Sequence, residues 1–335
     1  MNLTICLDMA GCPNRCKHCW IGHMPNINLS SSDASFVINC FKPYFPNITF
    51  YSWLREPDYC KDYKNRWLLD NKLSTGKKPE RFELASFYNL VRDKEYVKFL
   101  KDVGVKKVQL TLFGLESLTD KYVGRKGAFK EILKATEILI SNGIAPRWQV
   151  FINEENKNEI PKLIKLIDDL KIKERCKDFE LFVHEGSCDG ENLKLYDLRI
   201  QKGNIPTEVL PYYLDYDKLK TEAELVLDFK SRKNEYFVPS NQGGDITIYV
   251  SNTFDVYFNF TNMVNEWEIG NLKDDDIKEI CRRIITEDIP ALKVARIITL
   301  SDLANKFGDS TSKRLFSEDD FKMYLLNKML KENSF

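Results

Sequence analysis

The stretch CPNRCKHCW, residues 12–20, places three of the chain's nine cysteines within eight positions. The odd count is what matters, because a structural zinc site takes four ligands and a disulfide takes two. The stretch follows LTICLDM (3–9), an apolar run with strand character. The cysteines therefore lie in a loop at a strand's C-terminal end, the face on which parallel α/β barrels carry their chemistry. Soft thiolates select zinc, Cu(I) or iron–sulfur clusters. On a four-iron cubane, three cysteines leave one iron open, and an open coordination position marks a reactive site rather than a structural one.

Working outward, strand-like runs alternate with helical patterns over the first 185 residues. The further strand candidates are ITFYSWL (48–54), FELASFY (82–88), KVQLTLF (107–113), RWQVFI (147–152) and FELFVH (179–184). Between them, Phe129, Ile132, Leu133, Thr136, Leu139 and Ile140 recur at helical spacing until Asn142-Gly143, and Ile160, Leu163, Ile164, Ile167 and Leu170 repeat the stripe. Strand and helix in alternation predict parallel strands with crossover helices. The fold class is α/β: a partial (β/α)6 TIM-like barrel over residues 1–190, with Arg55–Arg81 as an insertion over one mouth. The rhythm changes afterwards. A loop at 184–192, a helix at 219–229, a hairpin at 243–260 and helical tracts at 274–286 and 318–332 predict a small α+β C-terminal extension over 191–335.

Composition narrows the function classes. Fifty basic and fifty acidic side chains balance, so no global field steers the chain toward nucleic acid or an anionic membrane. No apolar run approaches the roughly 18 residues that span a bilayer, and the N-terminus lacks the pattern of a secretory signal. Clustered thiols without a leader predict a reducing, cytoplasmic setting. Neither a GxGxxG fingerprint nor a Walker A loop is present.

The cysteine stretch in this strand context resembles the motif of the radical S-adenosylmethionine (AdoMet) superfamily. The resemblance covers about residues 1–190. It implies one [4Fe–4S] cluster on Cys12, Cys16 and Cys19, with AdoMet chelated at the open iron and cleaved to a 5′-deoxyadenosyl radical that takes hydrogen from substrate. It also implies oxygen sensitivity and a flavodoxin- or ferredoxin-like electron donor. His18 stands where an aromatic-type residue packs on the adenine. Leu54-Arg55-Glu56-Pro57 resembles the Gly-Gly-Glu-Pro segment whose acid holds the methionyl amine, with the glycines replaced; a carboxylate suits an ammonium there. VQLTLFG (108–114) resembles the ribose and carboxylate strand, which singles out Thr111. Arg125 in KYVGRKGAF (121–129) is expected at the AdoMet carboxylate, whose oxygens match a guanidinium fork. Of Gln149 and Arg147 on the next strand, the register is expected to turn one into the pocket. No catalytic residue is assigned.

Asp255-Val256-Tyr257 and Trp267 to Leu272, with its Gly-Asn-Leu, are similar to the appendage of the SPASM/twitch branch. Only Cys281 lies beyond residue 190, so that appendage is expected to hold no auxiliary cluster and to serve as a substrate lid. The substrate is a peptide or a small molecule: peptide modification in a biosynthetic pathway, or dehydrogenation, epimerisation or rearrangement of a metabolite. The competing class is a non-catalytic zinc protein using Cys12, Cys16, Cys19 and His23. The other cysteines read as small buried residues, with Cys188 inert in its loop. The five tryptophans read as core or rim packing.

Overall fold

The computed structural model describes residues 2–237, 245–258 and 263–332. Five parallel strands arise from the predicted runs: β1 (Asn2–Leu7), β2 (Asn47–Tyr51), β3 (Lys107–Leu112), β4 (Ala145–Phe151) and β5 (Glu180–His184). Crossover helices join them, among them Ser31–Phe41 between β1 and β2 and Ala128–Ser141 between β3 and β4. Val108, Leu110 and Leu112 of β3 are buried, while the alternate side chains Gln109 and Thr111 line a cavity. That polar face explains why a buried parallel strand reads with period two rather than as a continuous apolar run.

The strand expected over 82–88 does not form. The segment stays extended beside β3, tied to it through the Gln109 amide donating to the Glu83 carbonyl, and then turns into the helix Phe87–Arg92. The Ser86 side chain caps that helix by accepting from the Asn89 amide, so a residue counted toward the strand serves as a helix cap instead. The sheet is accordingly interrupted between β2 and β3 and the barrel stays open.

Beyond β5 come β6 (Lys220–Thr221), β7 (Ile246–Val250), β8 (Asp255–Tyr257), β9 (Glu268–Asn271) and β10 (Leu315–Phe316), with β6 and β10 forming a separate antiparallel pair. The helix expected at 219–229 runs from Glu222 to Ser231, because Thr221 and Glu224 form a capping box that fixes its start. The hairpin appears as β7–β8 turning at Ser251–Phe254; the ends of the expected segment, 243–244 and 259–260, lie outside the described residues. The expected tracts at 274–286 and 318–332 are the helices Ile277–Thr286 and Glu318–Glu332, and Pro290–Ala295 and Leu300–Phe307 add two short helices. Among the described residues, no helix is long and apolar enough to cross a membrane.

The register of β7 was not legible in the sequence. It pairs in parallel with β1, Leu3 opposite Ile246 through Leu7 opposite Val250, giving the sheet order β2-β1-β7-β8-β9. Leu3, Ile5 and Leu7 share one apolar cluster with Leu225, Phe229, Ile248, Trp267 and Phe321. A second cluster lies under β3–β5 around Trp148, whose indole donates to Thr136 Oγ1 at 3.0 Å. A chain ending at residue 190 would strip β1 of one neighbour and open the first cluster. It is expected to lose the cooperative thermal transition of the full chain, a comparison that circular dichroism makes directly.

Candidate active site

The loop after β1 carries Cys12, Cys16 and Cys19 into a cavity of about 680 Å³ that Trp53, Glu56, Gln109, Thr111 and His18 also line. Its path is fixed from outside. The amides of Arg15 and Lys17 donate to the carbonyls of Val123 and Tyr122, at 3.0 and 2.8 Å, strapping the loop to the end of the helix Glu116–Val123. Gly124 allows this approach: its φ is +69°, and a Cβ there would lie 2.4 Å from the Arg15 carbonyl oxygen. Inside the loop, the Asn14 amide donates to Cys12 Sγ at 3.4 Å, and the Cys12 thiol faces Glu56 Oε2 at 3.7 Å.

Burial governs the electrostatics here. It pushes the Cys16 thiol up to about 12 and raises Cys12 and Cys19, with Glu56 adding to the effect at Cys12. Burial likewise lifts Glu56 to about 7, against the lowering influence of the Ser86 hydroxyl, the Cys12 thiol and Arg125. Glu56 Oε1 is buried and makes no hydrogen bond of good geometry. Four acidic groups thus share a low-dielectric corner that favours cations bound among them.

The other expected residues divide. His18 forms part of the cavity wall, its ring centroid 4.5 Å from those of both Phe113 and Phe151. Burial drops it to about 3, so the ring is neutral, and its buried Nδ1 has no hydrogen-bond partner. Thr111 and Gln149 meet on the inner face of the sheet, with Thr111 Oγ1 donating to Gln149 Oε1 at 3.1 Å. The expectation that only one of Arg147 and Gln149 faces inward is corrected. Two residues apart on β4, they point the same way. Arg147 Nη2 donates to Gln109 Oε1 at 2.7 Å, and Gln109 Nε2 donates to Gln149. Gln149 Nε2 then reaches His184 Nε2 at 2.7 Å. Arg125 lies apart from these. It donates through Nε to Asn14 Oδ1 at 2.9 Å, pairs with Glu131 at 2.7 Å, and lines a separate cleft with Cys12, Asn14 and His23.

Several lining residues escaped the sequence. Gln109 was available from its phase with Thr111; His184, opposite Phe151 on β5, joins the site through Gln149 instead. Lys194, Leu195 and Leu198 roof the cavity from the 3₁₀ segment Gly190–Leu198, and only tertiary structure brings them there. Cys188 is buried near His18, with its thiol pushed up to about 12 and its amide donating to Asp320. Trp148 and Trp267 are fully buried, whereas Trp20 and Trp53 line the cavity.

Residues 7–167, from the end of β1 to the helix after β4, match the family model described as the radical SAM superfamily. A radical SAM domain therefore makes up just under half of the chain. Fe-coproporphyrin III synthase of Methanosarcina barkeri (strain Fusaro / DSM 804) is 26% identical to it over 217 residues, 60% of this chain and 54% of that protein. The chain thus spans about half the length of this curated relative. Among solved structures, native anSMEcpe with bound AdoMet has a TM-score of 0.51 at 15% identity, covering 98% of each chain. The form with bound AdoMet and Cp18Cys peptide has a TM-score of 0.52 at 14% identity, covering 99% of this chain and 98% of that one. At such identities the likeness is one of fold, and it runs through the C-terminal half.

The superfamily's cofactors are a [4Fe–4S] cluster and AdoMet. The residues present fit that pair: three thiols on one loop, facing the cavity that a buried carboxylate oxygen without a hydrogen bond also lines. A cluster takes each thiolate on a different iron, so the sulfurs need not converge. A single zinc ion requires convergence. Among the described residues, no three His, Cys, Asp or Glu side chains could hold one ion, and His23 is exposed.

One pH effect follows from the inner face. Burial, and secondarily Arg199, lowers His184 to about 4. Between that value and an unfolded value near 6.5, the unfolded chain binds a proton that the folded chain refuses, so stability rises with pH. The stability advantage of the metal-free wild type over His184→Gln is expected to shrink as pH falls from 7 to 4, by up to about 3 kcal/mol. Urea unfolding at the two pH values measures it.

Proposed function

We propose that this chain is a radical AdoMet enzyme in which Cys12, Cys16 and Cys19 hold a single [4Fe–4S] cluster. The observation that carries this is the meeting of that loop with Glu56 in one cavity, Cys12 Sγ lying 3.7 Å from the carboxylate. When bound and reduced, the cluster and AdoMet supply a 5′-deoxyadenosyl radical that removes hydrogen from substrate; the chain's own residues bind, orient and exclude water. Glu56 receives the methionyl ammonium through Oε1, a charge-assisted contact that also keeps the carboxylate ionised. Thr111 and Gln149, already joined to each other, offer hydroxyl and amide groups to the ribose. The neutral ring of His18, backed by Phe113 and Phe151, offers an apolar wall to the adenine. Arg125 acts from behind the loop, turned to the AdoMet carboxylate only if it leaves Glu131.

For the substrate we favour a peptide. The radical SAM fold shared with anSMEcpe, whose structure holds both AdoMet and the Cp18Cys peptide, supports this choice. A cavity near 680 Å³ is of the size that houses one drug-sized ligand, so with AdoMet inside, a larger substrate approaches through the mouth beneath Lys194, Leu195 and Leu198. The C-terminal half then acts as roof to the chemistry of residues 1–190. The second reading is a small-molecule substrate, favoured by the 26% identity to Fe-coproporphyrin III synthase. The electron comes from a flavodoxin- or ferredoxin-like donor in either case.

Anaerobic reconstitution with iron and sulfide, followed by dithionite and AdoMet, tests the proposal. Wild type is expected to release 5′-deoxyadenosine, and Cys16→Ala to release none. Glu56→Gln is expected to keep its iron but to bind AdoMet roughly ten- to a hundredfold more weakly, the usual worth of a hydrogen bond to a charged group. Intact AdoMet beside a confirmed reduced cluster would overturn the assignment.

A further inference from the structure

Arg55 stands where the Gly-Gly-Glu-Pro type segment has glycine, and its side chain is the most heavily engaged group around the cysteine loop. Nε and Nη2 both donate to Asp8 Oδ2, at 3.0 and 2.7 Å. Nη1 donates to the Met24 carbonyl at 2.7 Å and Nη2 to the Pro25 carbonyl at 3.0 Å. The two side chains are 5% and 1% exposed, so this is a dry ion pair. Asp8 is the residue at which the chain leaves β1, and Met24-Pro25 is where the loop returns. One guanidinium therefore closes the whole cysteine loop.

The closure reaches the sulfur. Beside Pro25, Asn26 brackets the Cys12 backbone, accepting from its amide at 3.1 Å and donating to its carbonyl at 2.9 Å. On the other side, Arg55 is bonded directly to Glu56. Cys12 and Glu56 are thus the two ends of one short circuit: Glu56, Arg55, Pro25, Asn26, Cys12. The circuit brings their side chains to 3.7 Å. The space for the guanidinium comes from the opposite wall. Gly11 has φ +87°, and a Cβ there would fall 2.7 Å from Arg55 Nη2 and 2.0 Å from Asn26 Oδ1. The glycine missing from the segment after β2 has a counterpart in the loop it faces. Asn252 of the β7–β8 turn adds an outer clasp, donating to the Pro25 carbonyl at 2.8 Å.

We infer that Arg55 is a positioning residue that sets the cysteine loop and Glu56 in register, so that a cluster ligand and the amine-binding carboxylate face the same AdoMet. The inference rests on the radical AdoMet assignment for its meaning, though not for its first test. A buried ion pair that merely holds a fold together is often replaceable, both partners at once, by apolar side chains of similar size. A register device is not.

The experiment uses Arg55→Lys, which keeps a charge for Asp8 but loses the fork to the two carbonyls, and Asp8→Asn/Arg55→Met, which leaves no unpaired charge. Amide hydrogen exchange over residues 9–26 is measured first, in the metal-free protein. Reconstituted iron content and the AdoMet titration of the reduced cluster's electron paramagnetic resonance signal follow. Both variants are expected to keep the wild-type circular dichroism and cluster content. Both should exchange the Cys12 amide at least about tenfold faster and need at least about tenfold more AdoMet for the spectral change, in line with lost hydrogen bonds to a charged group. Wild-type exchange and a wild-type AdoMet titration in Arg55→Lys would overturn the inference, even if the double variant failed to fold. If wild type itself takes up no cluster, the cofactor assignment falls, while the exchange data still decide what Arg55 does to the loop.

Discussion

Three thiols and a carboxylate crowd the C-terminal ends of β1 and β2, where burial raises the proton affinity of all four. The Cys12 thiol donates a weak hydrogen bond to Glu56, but burial works against the grouping as a whole. Each would be better solvated outside, and their anionic forms repel. The loop therefore stays in place only because its backbone is gripped elsewhere. Tyr122 and Val123 grip its outward arm, Arg55 and Asp8 its two ends, and Asn252 its return. A loop preorganised in this way offers a cationic metal centre the ligands it needs, and the metal's charge in turn removes the repulsion that the scaffold has been resisting.

The inner face of β3–β5 follows a different logic. Its polar side chains are not held apart but joined into one run, Arg147 to Gln109 to Gln149 to His184. Because arginine can only donate, the orientation of each amide in the run is set from that end. Such a wall is rigid enough to orient a ligand, and it has hydroxyl and amide groups to offer where Thr111 and Gln109 line the cavity. The helix-facing sides of the same strands carry Val108, Leu110, Leu112, Trp148 and Val150, which pack the second core. One strand thus serves packing and recognition through nothing more than alternation.

That alternation is also why so much was legible in the sequence. Thr111 and Gln149 could be placed on the inner face of the sheet because a polar residue at every second strand position has to point somewhere, and the apolar partners identify the core side. The helix Ala128–Ser141 was readable from its 3.6-residue stripe. What failed was local competition and distance. The segment 82–88 has strand composition, but Ser86 takes the cheaper role of capping the next helix. Arg125 lies in a matching segment, yet Glu131 and Asn14 hold it behind the loop, and no spacing rule reveals a partner chosen in three dimensions. Arg55 looked like a departure from the glycine pattern. It is better understood as an exchange, with the small residue moved to Gly11 and the side chain moved to the strand end.

The pairing of β7 with β1 gives the C-terminal half a share in the same device. β1 delivers Asp8 to the ion pair, and β7 delivers Asn252 through the turn at its end, so the two parallel strands present their C-terminal residues to one loop. Moving β7 out of register by one residue would turn Ile246, Ile248 and Val250 away from the core and carry Asn252 off the Pro25 carbonyl together. Core packing and loop closure are therefore satisfied by the same register. A mutation in the hairpin, some 240 residues from Asp8 in sequence, reaches the cysteine loop through that strand pairing, through Asn252 and through Tyr249, whose ring centroid lies 5.8 Å from that of Trp20.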